Sequence, residues 1–478
     1  MLFALVLASG ATAQRVAPCS GGPIVHVTVA PVMPASFNPD SVQAGADCLS
    51  WQMFIYLNWR ASPARAGAPS SALAATFGRP GDTAPTVWQS YPTADAVFDP
   101  AGAAVRTRSG GVLELHDIHQ TGGAWLTAQS GLPTYYEVRV NPDAAEFITQ
   151  NGLTTAAGQA ACARGKGGFN LPHGSSSLAG VARDTDCAGA PHTYGLDVGA
   201  IEIKAAWVVL PADGSLDHRY KIAKARVTDP ATGKASLQTV GLAGLHIVRK
   251  LPGASQMLWA TFEQIDTVPD QLAPARAVLP VNAPAEAAPR GFTYYNPACV
   301  PATDAYGCVP NTPPGAACRP GSTTVPAGCH ATSAPMQITR LTPITPEVND
   351  ATADAWAAMR RQLPAGGRDS VFNYYRLIDV QWPAQEVPPV APRARIPLLA
   401  ADMIPTPDTR YVANTTMETF VQQSRTCLDC HANAAIANAA LVKARALSAR
   451  TIRGLLRGGQ GAPFASDYAF VFSVRTRR

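Results

Sequence analysis

From Val87 to Ile265 the apolar residues tend to recur at every second position, the period of a strand with one face packed. Tyr136–Val140, Ile201–Lys204, Trp207–Leu210 and Tyr220–Val227 follow this pattern, and Leu242–Lys250 and Met257–Ile265, joined by Leu251-Pro-Gly-Ala-Ser255, read as a hairpin. Together they predict an antiparallel sheet. Upstream, Leu49, Met53, Tyr56 and Leu57 share one helical face within Cys48–Arg60. Downstream, Glu347–Leu363 carries Trp356 and Met359 on one side of a second helix, and Val371–Val380 is strand-like. Thr415-Thr-Met-Glu418 has the form of a capping box, and Met417, Phe420, Val421 and Ser424 follow at helical spacing, predicting an amphipathic helix that runs toward Cys427. The Ala-rich residues up to Arg450 predict another helix, and Tyr468–Phe472 an apolar closing segment. The expected fold class is therefore α+β. An antiparallel β-rich domain covers residues 14–270, a Pro- and Cys-rich segment covers 271–340, and a mainly helical C-terminal region covers 341–478.

Composition agrees with a globular chain, since 47% of the residues are hydrophobic and only 15% charged. The 42 prolines and 39 glycines add many turns and disfavour a helical solenoid. A net charge of +5 over 478 residues, with no Lys/Arg cluster, leaves no footprint for nucleic acid. At the N-terminus, the apolar run Leu2–Ala8 followed by Ala11-Thr12-Ala13 has the pattern of a signal peptide over residues 1–13, predicting export to the periplasm. No later run is long and apolar enough for a transmembrane helix.

The chemistry concentrates at Cys427-Leu-Asp-Cys430-His431. Two thiols two residues apart, with an imidazole directly after, is the arrangement that fixes a haem covalently: the cysteines add across its vinyl groups and the histidine binds the iron. With 10 Cys and 9 His in the chain, chance placement gives roughly 0.004 such pentapeptides. A zinc site would need a fourth ligand and would strain adjacent Cys430 and His431, while a redox dithiol usually follows a strand. Removing Cys427 and Cys430 leaves eight cysteines, an even number suited to disulfides in an oxidising compartment. Proximity along the chain suggests Cys19–Cys48, Cys162–Cys187, Cys299–Cys308 and Cys318–Cys329.

Residues 414–474 resemble a bacterial c-type cytochrome with a single haem, and the whole chain is similar to exported cytochrome c family proteins that combine a long N-terminal region with a late CxxCH. The resemblance implies one covalent haem c, thioether links at Cys427 and Cys430, and His431 as proximal iron ligand. It also implies one-electron transfer to a redox partner protein. No methionine or histidine follows His431, so a distal ligand has to come from upstream or from a weaker donor such as Lys443 or Tyr468. Met403, on a proline-bounded loop, Met417, His119 and His246 are the distal candidates, while Met53, Met257 and Met359 read as core. His116 and His119, three residues apart, share a face only on a helix; with His246 they are also the candidates for a second metal site. The alternative to electron transfer is a peroxidase- or oxidase-like haem enzyme, in which the β-rich domain forms a pocket over an open iron and His116 or His119 acts as distal acid-base.

Overall fold

The computed structural model describes residues 19, 26–37, 43–99, 111–120, 123–164, 168, 170–174, 183–252, 254–270, 291–299, 308–317, 329–362, 369–382, 411–424, 426–431, 434–437 and 464–472. The signal-peptide residues, Met403, Lys443 and the Ala-rich stretch 438–450 lie outside them.

The alternating segments form one twisted sheet built around its longest strand, β5 (Ala235–Leu251). β3 (Ile201–Val209) runs antiparallel along one side of β5. The other side of β5 is shared: its first half pairs with β4 (Ile222–Thr228) and its second half with β6 (Ala254–Gln264). β2 (Tyr135–Val140) pairs with β3, and β1 (Leu113–Leu115) runs parallel to β4. Tyr136 N–H donates to Asp117 O at 2.7 Å, tying the end of β1 to β2, so the sheet nearly closes into a barrel. The two segments expected around Ile201 and Trp207 are a single strand, with a register shift between Ala206 and Trp207.

Because side chains alternate, the register sorts β3, β5 and β6 into two faces. One carries Ile203, Ala205, Leu245, Ile247, Ala260 and Phe262, all buried in the main core. Against this face pack α1 (Gln43–Asn58) and α5 (Pro346–Arg361). Phe262 meets Trp51 and Phe54 at ring-centroid distances of 5.0 and 4.4 Å. Helix α1 is the buried helix expected there, pinned at Cys48 by its bridge to Cys19, and it is buried on every side from Ala46 to Asn58 rather than on one apolar face alone. The expected second helix is present as α5, with Thr345 capping Val348 N, Pro346 in the first turn, and Arg360 and Arg361 in the last. The shorter helices α2 (Ala94–Phe98), α3 (Pro142–Gln150) and α4 (Ala156–Ala163) form a smaller apolar cluster with the C-terminal residues. Tyr294 and Ile338, from the Pro- and Cys-rich segment, are fully buried in the main core. That segment also contributes the two-residue strands β7 (Ala316–Ala317) and β8 (Cys329–His330).

Among the described residues the C-terminal region is not mainly helical, and this part of the expected fold class is corrected. β9 (Tyr375–Gln381) joins the edge of the sheet beside β6. Among the described residues beyond it, the one longer helical element is α6 (Cys427–His431), five residues long. The expected amphipathic helix over 415–424 is a succession of turns instead. Its capping residues are diverted: Thr415 N and Oγ1 both donate to the Glu263 carboxylate, at 2.8 and 2.7 Å. Glu418 Oε2 accepts from Asn414 N at 3.0 Å, so the box closes locally without propagating.

Three of the four expected disulfides are present: Cys19–Cys48, Cys162–Cys187 and Cys299–Cys308. Cys318 lies outside the described residues. Cys427 and Cys430 are not joined in a disulfide.

Candidate functional site

The second face of the sheet carries Glu202 and Lys204 from β3, Gly244, His246 and Val248 from β5, and Trp259, Thr261 and Glu263 from β6. An uncovered face of this mixture would be ordinary surface, yet Glu263 and Thr261 are essentially inaccessible. Residues 411–437 and 464–472 supply the cover. Asn414 Nδ2 donates to Thr261 Oγ1 at 2.9 Å and to Phe262 O at 2.8 Å, and Tyr136 Oη donates to Thr416 O at 2.7 Å. Gly244 permits this approach: a Cβ there would lie 2.3 Å from Thr416 Oγ1. Below Thr415, Glu263 also accepts from Arg340 Nη2 at 2.5 Å, and both partners are buried. The ion pair holds Glu263 below the usual carboxylate range against the opposing effect of burial, which is the largest influence on it.

This docking carries the CxxCH motif onto the sheet. Cys427 N donates to Gln381 Oε1 on β9 at 3.0 Å, and Leu428 is fully buried in the smaller cluster with Val248, Met257 and Trp259. The single turn of α6 puts Cys427 and Cys430, three residues apart, on one side. Desolvation pushes the Cys427 thiol well above its ordinary value, so it is protonated at neutral pH. This is the opposite of the lowered value that activates a redox dithiol. Among the described residues no three His, Cys, Asp or Glu side chains converge as a metal centre requires.

His431 is the best-organised residue of the motif. Its Nδ1 lies 2.7 Å from Tyr468 O. A carbonyl only accepts, so the proton is on Nδ1 and Nε2 keeps its lone pair. Desolvation lowers the imidazole to about 4, keeping it neutral at physiological pH. Phe470 and Trp259 border the ring at centroid distances of 5.1 and 5.7 Å, and Trp259 also meets Tyr468 edge-on at 5.9 Å.

The acceptor itself is held by an unusual turn. Asp467 and Tyr468 have φ of 53° and 64°, left-handed values that side chains other than glycine adopt at a cost. The turn is pinned by the Asp467 carboxylate, which pairs with buried Lys250 and accepts from Leu171 N at 2.7 Å. Glu202 lies close enough to feel Asp467, and burial, reinforced by that charge, raises it to about 8.

The donor set therefore fits covalent haem c at the level of its residues: two cysteines outside any disulfide on one helical turn, of which Cys427 is protonated, and a neutral imidazole whose far nitrogen keeps its lone pair. The sequence-derived distal candidates separate. Met417 is fully buried against Tyr136 and Ala206, a packing role. His119 is exposed and bonded to Asp117, and His116 is exposed as well, on extended chain just after β1. These two and His246 do not form a metal site among the described residues. His246 is on the same sheet face as Trp259, 3.2 Å from Glu418. Tyr468 contributes its main-chain carbonyl, and its hydroxyl is raised to about 12 by burial. Sequence reasoning missed Tyr468 O, Trp259, Lys250 and Asp467 as parts of this site. A main-chain acceptor has no residue signature, and the other three read as strand or loop positions.

No model of a known protein family, no curated protein and no solved structure matches the chain. Among the described residues no helix is long and apolar enough to cross a membrane.

Proposed function

We propose that this chain is an exported mono-haem c-type cytochrome that carries out one-electron transfer with a redox partner protein. The observation that carries the reading is the His431 Nδ1 to Tyr468 O hydrogen bond, within a CxxCH motif. Histidines that ligate metals characteristically donate their other ring N–H to a carbonyl or carboxylate, which sets the tautomer and strengthens the ligating nitrogen. Cys427 and Cys430 would hold the porphyrin through thioethers and His431 Nε2 the iron. When bound, the haem supplies an Fe(III)/Fe(II) couple.

The chain's own residues then do three things. Tyr468 O keeps the imidazole oriented and basic. Trp259 and Phe470 shield its ring from water. The Lys250–Asp467 pair braces the turn that presents the carbonyl. His246, on the same sheet face as Trp259, would be the candidate for a second iron ligand. The three disulfides suit an oxidising compartment, in keeping with export to the periplasm.

The test is periplasmic expression in a host that matures c-type haem. Haem that remains on the chain after acid-acetone extraction, and is lost in the Cys427→Ser/Cys430→Ser variant, is the expected result. Extraction of all haem from the wild-type protein would refute the assignment. In the optical spectrum, a low-spin iron without the sulfur-to-iron charge-transfer band is expected for His246 ligation, and conversion to high spin in His246→Ala would identify it.

A further inference from the structure

A separate cleft lies where the end of α1 meets the 72–86 loop and the start of β4. It is lined by Trp59, Arg60, Phe77, Arg79 and Lys221 among others, and none of its lining residues comes from the segment that carries the CxxCH motif. Its cavity volume is about 30 Å³, enough for one or two water-sized groups.

Three features give it a chemical preference. Lys221 is 5% exposed, and its Nζ donates to Ala84 O at 2.8 Å and Asp82 O at 3.3 Å. An ammonium has three protons, so two carbonyls leave one unused. Trp59 is 3% exposed, and its indole N–H has no partner. Trp51, Trp125 and Trp259 also leave this group unmet, but of these only Trp59 lines the cleft. A buried donor without an acceptor is costly, so a cleft lined by one such indole N–H and by an ammonium with a proton to spare favours an acceptor-rich guest. Finally, the guanidinium groups of Arg60 and Arg79 stand at the exposed rim against a single carboxylate, Asp82, whose Oδ1 is engaged by Ala84 N at 2.8 Å. The lining therefore carries three cationic side chains and one anionic.

The rest of the wall is apolar. Phe77 stacks on Trp59 at 5.4 Å, and Leu73 is 73% exposed at the cleft, an unusual place for a large aliphatic side chain.

We propose that this cleft binds a small organic monoanion of the short-chain carboxylate class, with its charge among Lys221, Arg60 and the Trp59 indole N–H and its alkyl end toward Phe77 and Leu73. Charge and cavity size select a single carboxylate over a phosphate ester, and the apolar wall selects an organic acid over chloride. Burial lowers Lys221 to about 8, with Arg60 adding to the effect and Asp82 opposing it, so the amine is charged at neutral pH.

The experiment uses the full chain labelled with 15N at tryptophan and titrated with sodium acetate. One indole N–H cross-peak, assigned by its loss in Trp59→Phe, is expected to move saturably. Sodium chloride at matched ionic strength is expected not to reproduce the movement. The Arg60→Gln/Arg79→Gln variant changes only exposed side chains, so it keeps the fold, and it is expected to weaken acetate binding at least tenfold. Absence of a saturable shift, an equal response to chloride, or unchanged affinity in the double arginine variant would each overturn the proposal. If Trp59→Phe does not fold, the affinity ratio between wild type and the arginine variant still decides the matter.

Discussion

Gly244→Ala is the sharpest probe of how the motif-bearing segment sits on the sheet. Gly244 is in the middle of β5, where alanine suits the backbone, so the only cost is space. The new Cβ would stand 2.3 Å from Thr416 Oγ1 and 2.9 and 3.0 Å from the Asn414 amide atoms. Restoring van der Waals contact requires the segment to move by about 1 Å. Thr416 Oγ1 bonds Asn414 Oδ1 at 2.7 Å, and the Asn414 amide anchors the chain to Thr261 and Phe262, so these bonds stretch together. Overpacking costs about 1–3 kcal/mol, and each weakened hydrogen bond adds about 1 kcal/mol. A loss of about 2–4 kcal/mol follows, read as a lowered urea midpoint at unchanged slope. Limited proteolysis should show faster cutting within 411–431 in the variant than in wild type. Gly291→Ala, whose Cβ meets nothing within 4 Å, is the control and should leave both readouts unchanged. Wild-type stability and wild-type cutting in Gly244→Ala would refute the docking of this segment against β5.

Glu202 holds its proton in the folded protein up to about 8, whereas the unfolded chain ionises around 4.5. Its contribution to stability is complete below 4.5 and is lost as pH rises through 8, an effect on the order of 5 kcal/mol. Glu202→Gln should remove that slope, as comparison of urea midpoints at pH 5 and pH 8.5 will show. Asp467→Asn leaves Lys250 as an uncompensated buried charge and should cost about 3–5 kcal/mol. If the carbonyl of Tyr468 depends on that brace, the same variant should shift the midpoint potential of the haem-loaded protein, which a role in global stability alone would not do. Replacing Cys162 and Cys187 by serine opens a loop with a sequence separation of 25 and should lower stability by about 3.5 kcal/mol in chemical denaturation. An unchanged midpoint there would mean that the loop is ordered without its bridge.

Much of the sheet was legible because a period of two survives in Tyr136–Val140, Tyr220–Val227 and the 242–265 hairpin, where one face is apolar enough to stand out. Three disulfides were legible too, since partners close in sequence span short loops. The segment 415–424 misled because a capping box is a local signal, and here tertiary partners outbid it. Glu263, Thr261 and Tyr136 offer the backbone and side chains of 414–419 bonds that a helix would have had to satisfy internally. The mainly helical C-terminal region failed for the same reason on a larger scale: the sheet's second face needed a cover, and this segment provides it.

The sequence by itself determined the chemistry available at Cys427, Cys430 and His431, because the identity and spacing of covalently reactive groups are properties of the chain. What those groups face was decided only in three dimensions. The tautomer of His431 depends on the carbonyl of Tyr468, thirty-seven residues away. That carbonyl depends on a left-handed turn held by Lys250 from the central strand. Main-chain acceptors and braces of this kind act through position rather than residue type, so no linear pattern announces them.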